Sequence, residues 1–266
     1  MNKYRALVAL GLLFGAAAMM APAAVPAEIG GLGLVVSPAK LDLSIPAGTT
    51  YNIPITVSNS SGQMTHVQAS MVDFNVTDTG NYTFERIGAR PDSLLRWASI
   101  NPREFDLPAG TSQMVRLTLT IPKEKLSGEY AGIVFFQTRP TRRAGAVSFS
   151  TRIATKIYAS IPGTVRVDGA ISKMTAAANP RGEIYRVLFR NTGNAHVYLN
   201  GSLQILRAGT TVERVAMPAE MLVERGGDRL IELTGKRLPP GKYRAIATID
   251  YGGKSMTGGE IVFDAR

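Results

Sequence analysis

The segment VSFSTRIATKIY, residues 147–158, sets apolar Val147, Phe149, Ile153 and Ile157 among small polar residues, with Arg152 and Lys156 between them. Extended, such a segment has one apolar and one cationic face, because successive side chains of a strand point to opposite sides. The chemistry on offer is recognition: main-chain groups that can pair, apolar side chains that can be buried, and cations that can hold an anion. Residues suited to catalysis are sparse. His66 in MTHVQ and His196 in NAHVY are the two histidines, each in a strand-like setting without a metal-ligand neighbour at useful spacing, and both read as strand-surface residues with no role. Asp73, Asp78, Glu85, Asp92, Glu104 and Asp106 are spread along the first half in a pattern that suits turns and solvated faces, and spacing pairs none of them for acid–base work. The absence of cysteine excludes thiol catalysis, thiolate metal sites and disulfides. With no nucleophile, base, metal set or Gly-rich phosphate loop in view, the sequence predicts a protein that is not an enzyme and needs no cofactor.

Strands must position these residues, and most of the chain reads as strand. Residues 1–27 stand apart: MNKYR is a cationic start, ALVALGLLFGAAAMM an apolar run, and APAAVPA supplies small residues suited to cleavage after Ala27. This predicts an export signal and a periplasmic protein. No later stretch has the apolar length of a bilayer crossing, so no membrane span is expected. Loss of Lys3 and Arg5 with the signal turns 30 basic residues into 28 against 20 acidic ones, a net of +8. That charge favours acidic partners, but Lys and Arg are scattered between strands, and with export this argues against nucleic acid.

Stretches rich in Val, Ile, Thr, Phe and Tyr recur between Gly, Pro and Asn: GLVVS (33–37), YNIPITVSN (51–59), THVQASMVDF (65–74), YTFERI (82–87), MVRLTLTI (114–121), EYAGIVFFQT (129–138) and VSFSTRIATKIYA (147–159). They match an immunoglobulin-like sandwich. After SIPGTVR (160–166) the pattern restarts with EIYRVLFRNTG, HVYLNGSLQIL, DRLIELTG, GKYRAIATIDYGG and EIVFDAR. The expected fold is all-β, with two immunoglobulin-like sandwiches in tandem over residues 28–161 and 162–266. KLDLSIPAG and EFDLPAG each set alternating apolar residues ahead of a Pro-Ala-Gly turn, a strand-turn-strand signal.

The segment INPREFDLPAGTSQMVRLTLTIPKEKLSGEYAGIVFFQTRP resembles the periplasmic chaperones of chaperone/usher pilus assembly. Its parts are Pro102, the turn over Leu107 to Gly110, the strand from Met114 to Leu117, and an acidic residue opening an aromatic strand over Glu129 to Pro140. VVSPAKLDLSIPAG is similar to that family's first strand, FRNTGNAHVYL to its second-domain Asn-x-Thr strand, and TIDYGG to its late hairpin. The resemblance spans nearly the whole mature chain and rests on the order of the motifs. It implies an L-shaped pair of immunoglobulin-like domains that donates an edge strand to an incomplete pilus subunit. A basic pair in the cleft of that family binds the subunit's terminal carboxylate. Lys40 stands where the family usually has Arg, and Lys156 where it has Lys; Val147, Phe149, Thr151 and Ile153 fall at the groove-filling positions.

The implied partners are secreted pilus-type or surface subunits, an outer-membrane usher, and a second copy that caps the edge when no subunit is bound. TRPTRRAGA, with Arg139, Arg142 and Arg143, reads as a solvated loop before the donor strand. The residues alone leave two readings open, because the last strand of any sandwich alternates and Lys156 can be simply solvated. One is the periplasmic chaperone. The other is a structural or adhesive envelope protein whose sandwiches bind a surface polymer or an envelope protein.

Overall fold

The computed structural model describes residues 33–140 and 149–265. The export signal and Val147 lie outside these residues. No helix among them is long and apolar enough to cross a membrane, and they hold no group of three or more His, Asp or Glu side chains that could bind a metal.

The first half holds strands β1 (Leu34–Ser37), β2 (Lys40–Ser44), β3 (Thr50–Asn59), β4 (Thr65–Val76), β5 (Tyr82–Glu85), β6 (Ala98–Asn101), β7 (Glu104–Leu107), β8 (Ser112–Thr120), β9 (Glu129–Thr138) and β10 (Arg152–Ser160). One sheet has the order β1-β3-β8-β6; the other runs β2-β10-β9-β4-β5, with β7 also paired to β4. Their facing sides enclose a core that includes Ile55, Val57, Leu117, Leu119, Val134, Phe136 and Ile157, all inaccessible to solvent. Burying each such side chain contributes about 1.5–3 kcal/mol, which lets a cysteine-free chain hold together by packing. Both Pro-Ala-Gly turns follow a strand, β2 and β7, and Gly48 and Gly110 close them at φ +79° and +68°, where a side chain would be strained.

The second half holds β11 (Gly169–Asn179), β12 (Gly182–Asn191), β13 (Val197–Arg207), β14 (Thr210–Ala216), β15 (Met221–Val223), β16 (Asp228–Thr234), β17 (Gly241–Asp250) and β18 (Thr257–Ala265). Here β11-β12-β16 faces β14-β13-β17-β18 across a separate core built on Tyr185, Val187, Phe189, Leu203, Ala245 and Ile249. The fold is thus all-β, with two sandwiches in tandem. One short 3-10 turn, Leu95–Trp97, lies between β5 and β6.

Two details differ from the sequence reading. Strands β6, β11, β14 and β15 fall in stretches not marked as strands. More consequentially, β10 is an edge strand over only part of its length. From Lys156 to Ser160 it lies between β9 and β2, the latter running parallel to it.

Candidate functional site

Strand β2 reads KLDLS, and its alternation sends Leu41 and Leu43 to the core while Lys40 and Asp42 face outward. Strand β10 reads RIATKIYAS. Its odd positions Ile153, Ile157 and Ala159 pack on the first core, so its even positions Arg152, Ala154, Lys156 and Tyr158 share the outer face. In the parallel ladder between the two strands Lys40 is the partner of Lys156. The two lysines that the sequence singled out therefore meet side by side.

Their ammonium groups flank one ring: Lys40 Nζ is 5.4 Å and Lys156 Nζ 5.2 Å from the centroid of Tyr158. Lys40 also lies 4.9 Å from the Tyr198 ring and pairs with the exposed Asp42 at 2.8 Å. Burial pulls the Lys40 pKa down, but bonds and charge interactions with Asp42 and Tyr198 outweigh it and leave the pKa raised, so Lys40 is a cation at neutral pH. Lys156 Nζ donates to Tyr82 Oη at 3.0 Å. Two ammonium groups thus stand together, framed by Tyr82, Tyr158 and Tyr198, an arrangement chemically suited to a compact anion. An exposed pair such as Lys40–Asp42 is worth little and leaves other donors of the ammonium group for a second acceptor.

The second sandwich supplies the opposite wall. Tyr158, almost fully buried, donates to Glu224 Oε1 at 2.6 Å, stacks on His196 at 3.9 Å between ring centroids, and belongs to a small cluster with Phe74, Val76, Ile133 and Phe135. Leu222 of β15 packs against the same cluster. Burial, before any other cause, raises the pKa of the Glu224 carboxyl, and Glu129 adds to the effect against the opposing pull of Tyr158, His196 and Lys156. Burial likewise pushes the Tyr158 hydroxyl far up, keeping it a neutral donor. His196 is not a bystander on a strand surface: its Nδ1–H donates to Glu129 Oε1 at 2.8 Å and its main-chain N–H reaches the same oxygen at 3.0 Å, tying β9 to the second sandwich. Asn191, in FRNTGNAHVYL, fixes this wall. Its carboxamide donates to the carbonyls of Ala195, Val223 and Glu224, so one buried side chain holds the turns that carry both His196 and Glu224.

Upstream of Lys156 the edge of β10 opens. Lys156 N–H donates to Ala39 O, on the side away from β9, and by the alternation of a β-ladder the N–H and C=O groups of Arg152 and Ala154 point the same way. Among the described residues no strand pairs with them there. The opposite side remains laddered, with Thr138 N–H on Thr151 O at 2.9 Å. Phe149 is 72% exposed, Thr151 is half-buried, and Ile153 is half-buried against the chain's own core. The four sequence candidates thus divide: Ile153 packs at home, Thr151 lies at the margin, Phe149 projects into solvent, and Val147 is outside the described residues. Tyr82, Tyr158, Tyr198 and Glu224 were not singled out by the sequence, and His196 was read there as a strand-surface residue with no role.

No family model matches the chain, and no curated protein does. Among solved structures it is similar to the class 5 fimbriae chaperone CfaA, at 14% identity over 88% of this chain and 99% of that one, with a TM-score of 0.49. It is also similar to the YadV chaperone, at 14% identity over 87% and 100% with a TM-score of 0.44. A third similarity is to the CsuC–CsuE chaperone-tip adhesion subunit pre-assembly complex of Acinetobacter baumannii, at 11% identity over 86% and 97% with a TM-score of 0.47. All three are chaperones or chaperone complexes. At identities of this order and TM-scores below 0.5, the likeness assigns no function to this chain.

Proposed function

We propose that this chain is a divergent periplasmic chaperone of the chaperone/usher kind. It holds the C-terminal segment of a secreted pilus-type or surface subunit along the open edge of β10 and anchors the terminal carboxylate on Lys40 and Lys156. The observation that carries the reading is the pairing of Lys40 with Lys156 at the point where that open edge ends against β2.

A strand laid beside residues 149–155 satisfies the main-chain groups of Arg152 and Ala154 that face away from β9. It cannot continue past Lys156, because β2 occupies that side. Its end therefore falls beside the two ammonium groups, where a free carboxylate gains charge-assisted hydrogen bonds. A chain that ends there must also run parallel to β10. Phe149 shares the parity of Ile153 and Ile157, so the apolar row that fills the first core continues beyond it and is available to a subunit that lacks a strand. In this reading residues 28–161 capture the subunit, and residues 162–266 wall the anchor through Tyr198 and Glu224.

The test is to purify the tagged mature protein from the envelope fraction of its own cells and identify stoichiometric partners by mass spectrometry, with Lys156→Glu in parallel and circular dichroism to check its fold. A small β-rich secreted subunit should accompany the wild type and be absent from the variant. Equal recovery with both, or no subunit at all, would sink the carboxylate anchor and favour an envelope-binding module.

A further inference from the structure

Asp42 stands two residues after Lys40 on β2, and strand alternation puts both on the outer face. In the ladder with β10 Asp42 is the partner of Tyr158, the residue whose ring the two ammonium groups flank. Its carboxylate oxygen lies 2.8 Å from Lys40 Nζ, and both side chains reach solvent, 34% exposed for Lys40 and 58% for Asp42. Lys156 is placed differently. Its Nζ meets the neutral hydroxyl of Tyr82 and makes no ion pair among the described residues. Glu224 feels the charge of Lys156, but its carboxyl is buried and receives the Tyr158 hydroxyl. The two cations are therefore unequal: Lys156 is open to an incoming anion, whereas Lys40 already holds a carboxylate of the chain's own.

We propose that Asp42 is a built-in competitor for Lys40, which weakens the grip of the lysine pair on a subunit's terminal carboxylate and keeps that complex reversible. The inference rests on the carboxylate anchor proposed above and sets its strength. An ammonium group has three donors, so Lys40 can take a second carboxylate without losing the first, but the two acceptors then share one charge and repel each other. Asp42 also lowers the charge of the site. The two lysines alone carry two positive charges; with Asp42 a single one remains, which one terminal carboxylate neutralises. Both effects act on an anion at Lys40 and spare a neutral group. Exposure limits their size. A solvated pair is weak, so Asp42 attenuates the anchor and does not shut it.

The probes are short peptides of alternating Val and Ser, labelled at the N-terminus and made as free acid and as C-terminal amide. Binding to the mature protein is read by fluorescence anisotropy. Asp42→Asn keeps the shape of the side chain and removes its charge. It should bind the free acid about threefold more tightly than wild type, in line with one exposed charge pair, and the amide equally. Asp42→Ser should show the same gain. Asp264→Asn raises the net charge by the same amount at an exposed site on β18 of the second sandwich, and should leave both probes as in wild type. Added salt, to about 0.5 M, should erase most of the gain. While the wild type still prefers acid to amide, three results overturn the competitor and leave the anchor standing: free-acid binding no tighter in the Asp42 variants, a gain shared by the amide or by Asp264→Asn, or a gain indifferent to salt. Equal binding of acid and amide by the wild type, or no binding of the free acid, overturns the lysine anchor and this inference with it.

Discussion

Strand β10 and the segment that leads into it carry the same alternation and meet opposite fates. Downstream, Ile157, Tyr158 and Ala159 are at most 2% exposed, in a strand flanked by β2 on one side and β9 on the other. Upstream, Phe149 is 72% exposed, and Arg152 and Ala154 pair with β9 on one side only. An apolar row in a strand therefore records which face is to be covered, and the flanking strands decide whether the chain itself covers it. The difference separates residues that hold the fold from residues that are available to another chain.

The largest expected effect sharpens that contrast directly. Ile157→Ala should lower stability by about 2–5 kcal/mol in urea denaturation, as loss of a fully buried side chain does. Phe149→Ala should stay within about 0.5 kcal/mol of wild type and yet reduce recovery of the bound subunit. Comparable destabilisation at both positions would break the comparison. An intermediate effect is expected at Tyr158→Phe, which strips the 2.6 Å bond from the buried Glu224 and should cost about 1–3 kcal/mol with the fold retained. Stability unchanged from wild type would show that the bond contributes nothing to joining the sandwiches.

The smallest effect is in pH dependence. Because the Glu224 pKa is raised by burial, the folded chain keeps this proton at pH values where the unfolded chain has released it. Unfolding then loses a proton, so this group favours the folded state most below the ordinary carboxylate pKa, and stability falls as pH climbs to the folded-state value. Glu224→Gln should remove that fall. Its denaturation midpoint should gain on wild type as pH rises through the window, and a difference constant with pH would contradict the assignment.

Much of this could be read from residue order, for identifiable reasons. Strands β8, β12 and β17 alternate along their length, β3 and β4 over part of it, and β9 is a near-continuous apolar run; each carries its own signal. Strand β11, GAISKMTAAAN, is rich in Ala and Gly and is extended because β12 pairs along it, which no local pattern reveals. At the site, Lys40 and Lys156 stand out as cations in alternating strands. Their adjacency depends on a parallel pairing between segments more than a hundred residues apart. Glu224 sits in VERGGDR, which reads as a solvated turn, and His196 as a strand-surface residue. Their partners, Tyr158 and Glu129, come from the first sandwich, and Asn191 ties the two turns to each other. Contacts between separately folded units leave no periodicity in either.

If the chain is the chaperone proposed above, the position of β2 also sets when the site can act. A polypeptide still threading through a membrane translocase has no free terminus to present, and its backbone would run on into the edge that β2 already fills. In the reading proposed above, engagement at Lys40 and Lys156 waits for synthesis and translocation of the subunit to finish. On that proposal, the short strand that blocks the edge makes the site a checkpoint for completed polypeptides.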